Sequence, residues 1–324
     1  MSDDPGRRDA RQPARADDSD KTTERTNMLS PDLRLTWLFG AGADPAVHRA
    51  MTASGADVLI QDLEDFTPPP LRPQARAAAH ELYARWHEAG ALACVRINAL
   101  DAEGSTDLEA VMPARPDIVA YPKACTADEI RALDDAIGRL EMRLGFAPGS
   151  TEILPVCETA LGVVNVRELA GASRRVRCAL LGAEDLAADL CAERGPDAVE
   201  LDYARRRFLL ECRAAAIEPI DAPYTFADAD GAAREARYAR RLGYRSKSLV
   251  RPDHAAVIAA ALRPGDDDVA LARRVTAEFE AARARGEERV LVQGLWIEVP
   301  TYLNARRLLE RADALTARRP PAAV

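Results

Sequence analysis

Residues 152–185, EILPVCETALGVVNVRELAGASRRVRCALLGAED, decide the fold. Two apolar runs bracket a stretch of helical length, Ala160–Ser173. Glu158 follows the first run and Asp185 the second. A strand–helix–strand unit makes its strands parallel, with a right-handed crossover, so both runs end at the same edge of one sheet. Two carboxylates at neighbouring strand ends form a seat for a hard divalent cation such as Mg²⁺. The plainer reading makes Glu158 a helix-capping or first-turn acid and pairs Asp185 with a surface arginine.

The same rhythm extends outward. Before this unit come Leu35–Phe39, Asp57–Leu63, Ala93–Ile97 and Asp117–Tyr121; after it come Ala216–Ile220 and Tyr244–Val250. Eight short apolar runs in about 225 residues, mostly separated by helical stretches, predict a (β/α)₈ TIM barrel over 31–262. An open doubly wound sheet is the alternative, but it rarely needs eight strands. Polar residues gather where the runs end: Glu64, Asp65, Arg96, Lys123, Glu158, Asp185 and Asp221. In a barrel those ends form one face, where active sites lie.

The flanks differ in character. Residues 1–30 are polar and charged, with no apolar segment of a secretory signal, and read as a disordered tail. Residues 263–324 read as a C-terminal helical extension or lid. It comprises a charged helix over Asp266–Arg285, a strand or turn over Arg289–Ile297, and a last helix over Thr301–Leu315.

The 324-residue chain carries a net charge of −8 and 48% apolar residues. The first argues against nucleic acid as a partner, and the second allows a sizeable core. No apolar run approaches the ~20 residues of a membrane span. Six cysteines without CxxC spacing fit small core residues in a reducing cytoplasm.

Several motifs carry chemistry. GAGAD (Gly40–Asp44) follows a strand, yet no third glycine completes a dinucleotide fingerprint. Such a turn can still cradle a phosphate or thioester arm. Asp62, Glu64 and Asp65 crowd one strand end. They are read either as support for metal-bound water or for Arg96, or as ion-pair partners of Arg72 and Arg76. The fork of Arg96, in VRIN, suits a carboxylate or an enolate oxygen, and also an ion pair to Glu64. Lys123 and Lys247 are Schiff-base candidates by type, but that chemistry needs a depressed pKa, which nearby carboxylates oppose, so a structural ion pair is the reading favoured, with Lys123 also a candidate substrate-binding residue.

Taken in order, LTWLFGAGAD, GADVLIQDLEDFTPP, VRIN, DIVAYPK, PVCETALGV, LLGAEDLAADL and LGYRSK with VRP resemble the HpcH/HpaI aldolase and citrate lyase superfamily. The resemblance is to its citrate lyase β-subunit-like CoA ester lyases. It implies a Mg²⁺-binding barrel with Glu158 and Asp185 as metal ligands. It further implies that Arg96 binds substrate and stabilises an enolate, and that Gly42 lies beside the thioester arm. The implied reaction is retro-Claisen cleavage of a malyl-, citramalyl- or citryl-type thioester to an acyl thioester and a 2-oxo acid. Glu298, in GLWIEVP, stands where the family has an acid/base aspartate donated by a neighbouring subunit, so a cytoplasmic homotrimer or hexamer is implied. Ala41, the VRPDH segment with Arg251 and His254, and Glu298 itself depart from the family pattern. Other readings are an aldolase acting on free hydroxy-2-oxo acids, a thioesterase, and a binding protein without turnover. The first usually has a histidine where Asp65 stands.

Overall fold

Alternation of side chains builds the barrel wall. Along β5 (Glu152–Cys157), Leu154 and Val156 point inward with Trp37, Ile60 and Leu180. Ile153 and Cys157 point outward to the helix layer. The other strands are β1 (Thr36–Ala41), β2 (Val58–Asp62), β3 (Leu92–Arg96), β4 (Ile118–Tyr121), β6 (Cys178–Leu181), β7 (Glu218–Tyr224) and β8 (Ser246–Leu249). All pair in parallel in chain order, and β8 returns to β1 through Thr36↔Lys247 and Leu38↔Leu249, closing the barrel. The computed structural model describes residues 28–318. Most of the segment read as a disordered tail, and the final Pro320–Pro321, lie outside them.

Helices cover the wall: α1 (Pro45–Ala53), α2 (Arg72–Glu88), α3 (Ser105–Val111), α4 (Ala127–Leu144), α5 (Ala160–Val164), α6 (Val166–Ala172), α7 (Glu184–Asp189), α8 (Asp202–Ala214), α9 (Ala229–Leu242) and α10 (Ala255–Leu262). Local chemistry sets their ends. Thr126 caps α4 through a reciprocal box with Glu129, and Gly145 closes it at φ +70°. The helix expected over Ala160–Ser173 is in fact two. The interruption is at Asn165 (φ −97°, ψ 6°), whose side-chain amide donates to the Cys125 carbonyl at 2.9 Å and so ties the break to the loop before α4.

The seventh run also needs correction. Strand β7 begins at Glu218 and ends at Tyr224, so Asp221 sits mid-strand and is fully buried, away from the mouth. Inward-facing Ile220 fixes its direction as outward. There it accepts from Arg205 of α8 at 2.9 and 2.8 Å and from Lys247 at 2.6 Å. The Arg205 guanidinium also reaches Glu235 at 2.8 Å. Lys247 thus belongs to this buried network and cannot meet a substrate at the mouth. Burial pushes its pKa down, while Asp221 works the other way.

The C-terminal extension pairs α11 (Asp266–Ala284) with α12 (Val299–Ala317). Between them β9 (Val290–Val292) and β10 (Leu295–Ile297) form an antiparallel hairpin. Its turn residues Gln293 and Gly294 both have positive φ, as a two-residue hairpin turn requires. Val275, Phe279, Val292 and Ile297 make a small core of their own. The far end of α12 docks under the barrel. Arg311 donates to the carbonyls of Leu262 and Arg245, and Arg318 to the Leu33 carbonyl and Asp57. These partners precede strands or end helices, so α12 is anchored at the face opposite the strand C-termini. Four cysteines are buried, and none of the six is in a disulfide. Among the described residues no helix is long and apolar enough to cross a membrane.

Candidate active site

Strand parity gathers charge at the barrel mouth. Asp62 continues the inward face of Ile60, Arg96 that of Cys94, and Glu158 that of Val156. Asp62 and Arg96 are also register partners on β2 and β3. The Arg96 guanidinium grips Asp62 with two hydrogen bonds, Nε donating to Oδ1 at 3.0 Å and Nη2 to Oδ2. The backbone N–H groups of Glu64 and Phe66 donate to the same carboxylate. Nη1 of Arg96 lies 3.0 Å from Glu64 and 3.9 Å from Glu158. The rings of Phe39 and Phe66 flank the guanidinium at 5.1 and 5.8 Å. Burial opposes its charge, but Asp62, Glu64 and Glu158 outweigh burial and raise its pKa.

Lys123 completes the cluster from the end of β4. Its ammonium donates to Glu64 Oε1 at 2.7 Å and stands 3.5 Å from Asp65 and 3.3 Å from Asp185. Burial opposes its charge too, but Glu64, Glu158 and Asp185 raise its pKa beyond the usual lysine range. That is the wrong direction for a Schiff-base nucleophile. Its backbone N–H donates to Glu158 Oε1 at 3.0 Å. Glu158 is 4% exposed, and burial pushes its carboxyl up to about 7 against the pull of Arg96.

The mouth thus brings together Glu64, Asp65, Arg96, Lys123, Glu158 and Asp185. The plainer roles do not hold for most of them. Arg72 and Arg76 pair with Glu103 and Asp107 instead of the Asp62–Asp65 cluster. Thr159, not Glu158, caps α5. Asp185 is a first-turn acid of α7, but its partner is Lys123. Gly42 is buried, donating its N–H to Thr67 Oγ1 at 2.8 Å, and a Cβ there would meet the Asp62 carbonyl at 2.6 Å. Glu298 is not brought in. It is exposed at the start of α12, and among the described residues its side chain makes no ion pair.

Five carboxylates (Asp62, Glu64, Asp65, Glu158, Asp185) therefore face two cations. Glu64 Oε2 is buried with no aligned hydrogen bond, its contact being the Arg96 Nη1 at 3.0 Å. A hard divalent cation fits this excess of carboxylate oxygen. Among the described residues no three His, Cys, Asp or Glu side chains form a closed metal cage. Mg²⁺ keeps several waters and takes one or two carboxylates, so it does not require such a cage.

Residues 35–252 match the model of the HpcH/HpaI aldolase/citrate lyase family. The chain belongs to this family. Its relatives include the citrate lyase subunit beta of Escherichia coli, 36% identical over 86% of this chain and 93% of the relative. The L-malyl-CoA/beta-methylmalyl-CoA lyase of Cereibacter sphaeroides is 31% identical over 86% and 95%. Among solved structures, CitE from Mycobacterium tuberculosis in complex with magnesium, acetoacetate and coenzyme A superposes with a TM-score of 0.71. It is 30% identical and covers 86% of this chain and 98% of that one. The resemblance seen in the short motifs is borne out, as are the barrel and the lyase assignment at the level of the family.

For this family member, sequence reasoning left Asp62 as one acid among three, although it is the tightest partner of Arg96. Nothing in the local pattern singles it out, because the pairing comes from the register that sets Asp62 beside Arg96. The flanking Phe39 and Phe66 were also missed; Phe39 is inward by the same parity. Gly182, just after β6, makes room for Glu158, because a Cβ there would lie 2.4 Å from the Glu158 Cβ. Gly182→Ala is expected to cost about 1–3 kcal/mol through overpacking, read as a lower urea midpoint. An unchanged midpoint would show that the contact relaxes freely.

Proposed function

We propose that this chain is a Mg²⁺-dependent lyase that cleaves a β-hydroxyacyl-CoA ester of the malyl, citramalyl or citryl type by retro-Claisen chemistry. The products are an acyl-CoA and a 2-oxo acid. The observation that carries the reading is the mouth itself, where under-compensated carboxylates stand beside a rigidly held guanidinium. Family membership and the names of the relatives support the same reading. Glu158 and Asp185 would hold the ion. When bound, Mg²⁺ supplies a Lewis acid and a template for the hydroxyl and carboxylate oxygens of the future 2-oxo acid.

The protein's own residues do the rest. Asp62 fixes one edge of the Arg96 fork, and the two phenyl rings fix its plane, so the guanidinium is preorganised. Arg96 then stabilises the thioester enolate oxygen as the carbon–carbon bond breaks. Glu64 holds both Arg96 and Lys123 and so sets where the two positive charges stand. Gly42 keeps the first loop tight against β2, beside the path of the thioester arm. In cleavage the hydroxyl proton leaves to solvent as the carbonyl forms and Glu298 supplies the proton taken up by the enolate carbon, removing it in the reverse direction, a step that typically contributes about 10²–10⁴-fold. It lies outside its own chain's mouth, so a neighbouring subunit of a homotrimer or hexamer presents it.

Two experiments test this. Malyl-CoA, citramalyl-CoA and citryl-CoA are assayed beside free 4-hydroxy-2-oxo acids. Thioester cleavage to an acyl-CoA is expected. Reaction of the free acids alone would replace the lyase by an aldolase, and release of free CoA would make it a thioesterase. For Glu298, two inactive variants, Arg96→Ala and Glu298→Ala, are unfolded together and refolded as mixed oligomers. Activity is expected to return, because one mouth can then combine an intact Arg96 with a neighbour's Glu298. No recovery would mean that Glu298 does not act from a neighbouring subunit, and a fully active Glu298→Ala would place it outside the reaction.

A further inference from the structure

Lys123 has one feature that substrate binding does not explain. Its ammonium stands 3.3 Å from Oδ2 of Asp185, a proposed metal ligand, whereas Arg96 approaches the other ligand, Glu158, only to 3.9 Å. The root of the side chain is fixed. Lys123 has φ +47°, uncommon for a residue with a side chain, and its N–H is bonded to Glu158. The far end is not fixed in the same way, since the side chain is 44% exposed. It has one short hydrogen bond, to Glu64 at 2.7 Å, and two longer ion contacts, to Asp65 and Asp185.

We propose that Lys123 is a displaceable counter-ion, whose ammonium competes with the divalent cation for Asp185 and withdraws onto Glu64 and Asp65 when the metal binds. This rests on the metal reading above. Mg²⁺ binds carboxylate oxygen at about 2.0–2.1 Å. A monovalent cation on the same oxygen repels it, and the repulsion is relieved if the ammonium swings away about its fixed root. Without the metal, Lys123 offsets repulsion among Glu64, Asp65 and Asp185. Lys123 would therefore lower metal affinity and, at the same time, support the metal-free fold.

The test uses the full chain with Mn²⁺ followed by electron paramagnetic resonance, plus melting curves with and without Mg²⁺. Lys123→Met is expected to bind Mn²⁺ about tenfold more tightly, from loss of a nearby like charge. Its metal-free form is expected to melt below wild type, and its Mg²⁺-loaded form at or above it. Lys123→Arg keeps the charge and should behave like wild type in both assays. A lysine that merely props the fold would lower both melting temperatures and leave affinity unchanged. Unchanged or weaker Mn²⁺ binding by folded Lys123→Met overturns the proposal. Glu158→Ala separates the two levels. If it loses Mn²⁺ while Lys123→Met gains nothing, only the counter-ion role fails. If wild type and Glu158→Ala bind Mn²⁺ alike, the metal reading fails and takes this proposal with it.

Discussion

Arg96→Ala is expected to lower thioester cleavage by about 10²–10³-fold, the usual loss when one preorganised oxyanion donor is removed. It is also expected to destabilise the protein by about 3–5 kcal/mol, because it strips a buried carboxylate of its partner. The two effects have separate origins. The kinetic loss comes from the guanidinium edge facing Glu64 and Glu158. The stability loss comes from the opposite edge, where Asp62 has no solvent exposure and keeps only two backbone donors. Arg96→Lys should divide them. It restores a positive charge near Asp62 and recovers part of the stability, yet a single ammonium cannot hold Asp62 and face an enolate at once. Its kcat should stay near the alanine value. Steady-state kinetics with a urea melt of each variant checks this, and an active Arg96→Lys enzyme would mean that charge alone suffices.

Asp221→Ala is expected to damage the fold strongly although it lies outside the mouth. It leaves Lys247 without a charged partner and Arg205 with only Glu235, both cations being about 1% exposed. Breaking a buried network from one side costs about 3–5 kcal/mol. For a chain of this size that is a fall of roughly 5–15 °C in melting temperature. The metal ligands are untouched, so the folded variant should bind divalent cations as wild type does. The pH dependence has a defined sign. Burial would raise the Asp221 carboxyl, but Arg205 and Lys247 outweigh it and hold the group below its ordinary value. Its folded-state pKa is thus depressed, so its stabilisation is complete above the unfolded value of about 3.9. The contribution disappears as pH falls further, through the folded value. The stability gap between wild type and Asp221→Ala should therefore be constant near neutrality and narrow below about pH 4. A gap that widens in acid would contradict the assignment.

The barrel was legible because most of its strands are uninterrupted apolar runs that stop at a polar residue. Strand β7 was misplaced for a physical reason. Its outward face carries Asp221, paired with a helix arginine, which reads in sequence as the end of a run. Ala216 and Ile217, which look strand-like in an apolar count, instead lie in the turn between α8 and β7, with Ala216 at φ +58°. Glu64, Arg96, Lys123 and Glu158 were found because strand-end position and residue type agree. Asp185 was found with its element slightly wrong, since it opens α7 rather than closing β6. The role of Asp62 depended on cross-strand register, and the break at Asn165 goes with a hydrogen bond to a distant loop. Neither is visible in a local pattern. The position of Glu298 follows from the docking of α12 beneath the barrel, which only the folded chain displays.

In the proposed reaction Glu158 and Asp185 hold the Mg²⁺ ion on which carbon–carbon cleavage depends. The most direct measurement follows 2-oxo acid release from malyl-CoA by EDTA-treated enzyme, with and without added Mg²⁺, in wild type and Glu158→Ala. Wild type should be silent after EDTA and recover fully with Mg²⁺, while Glu158→Ala stays silent in both. Cleavage that survives EDTA, or a Glu158→Ala enzyme as active as wild type, would contradict it.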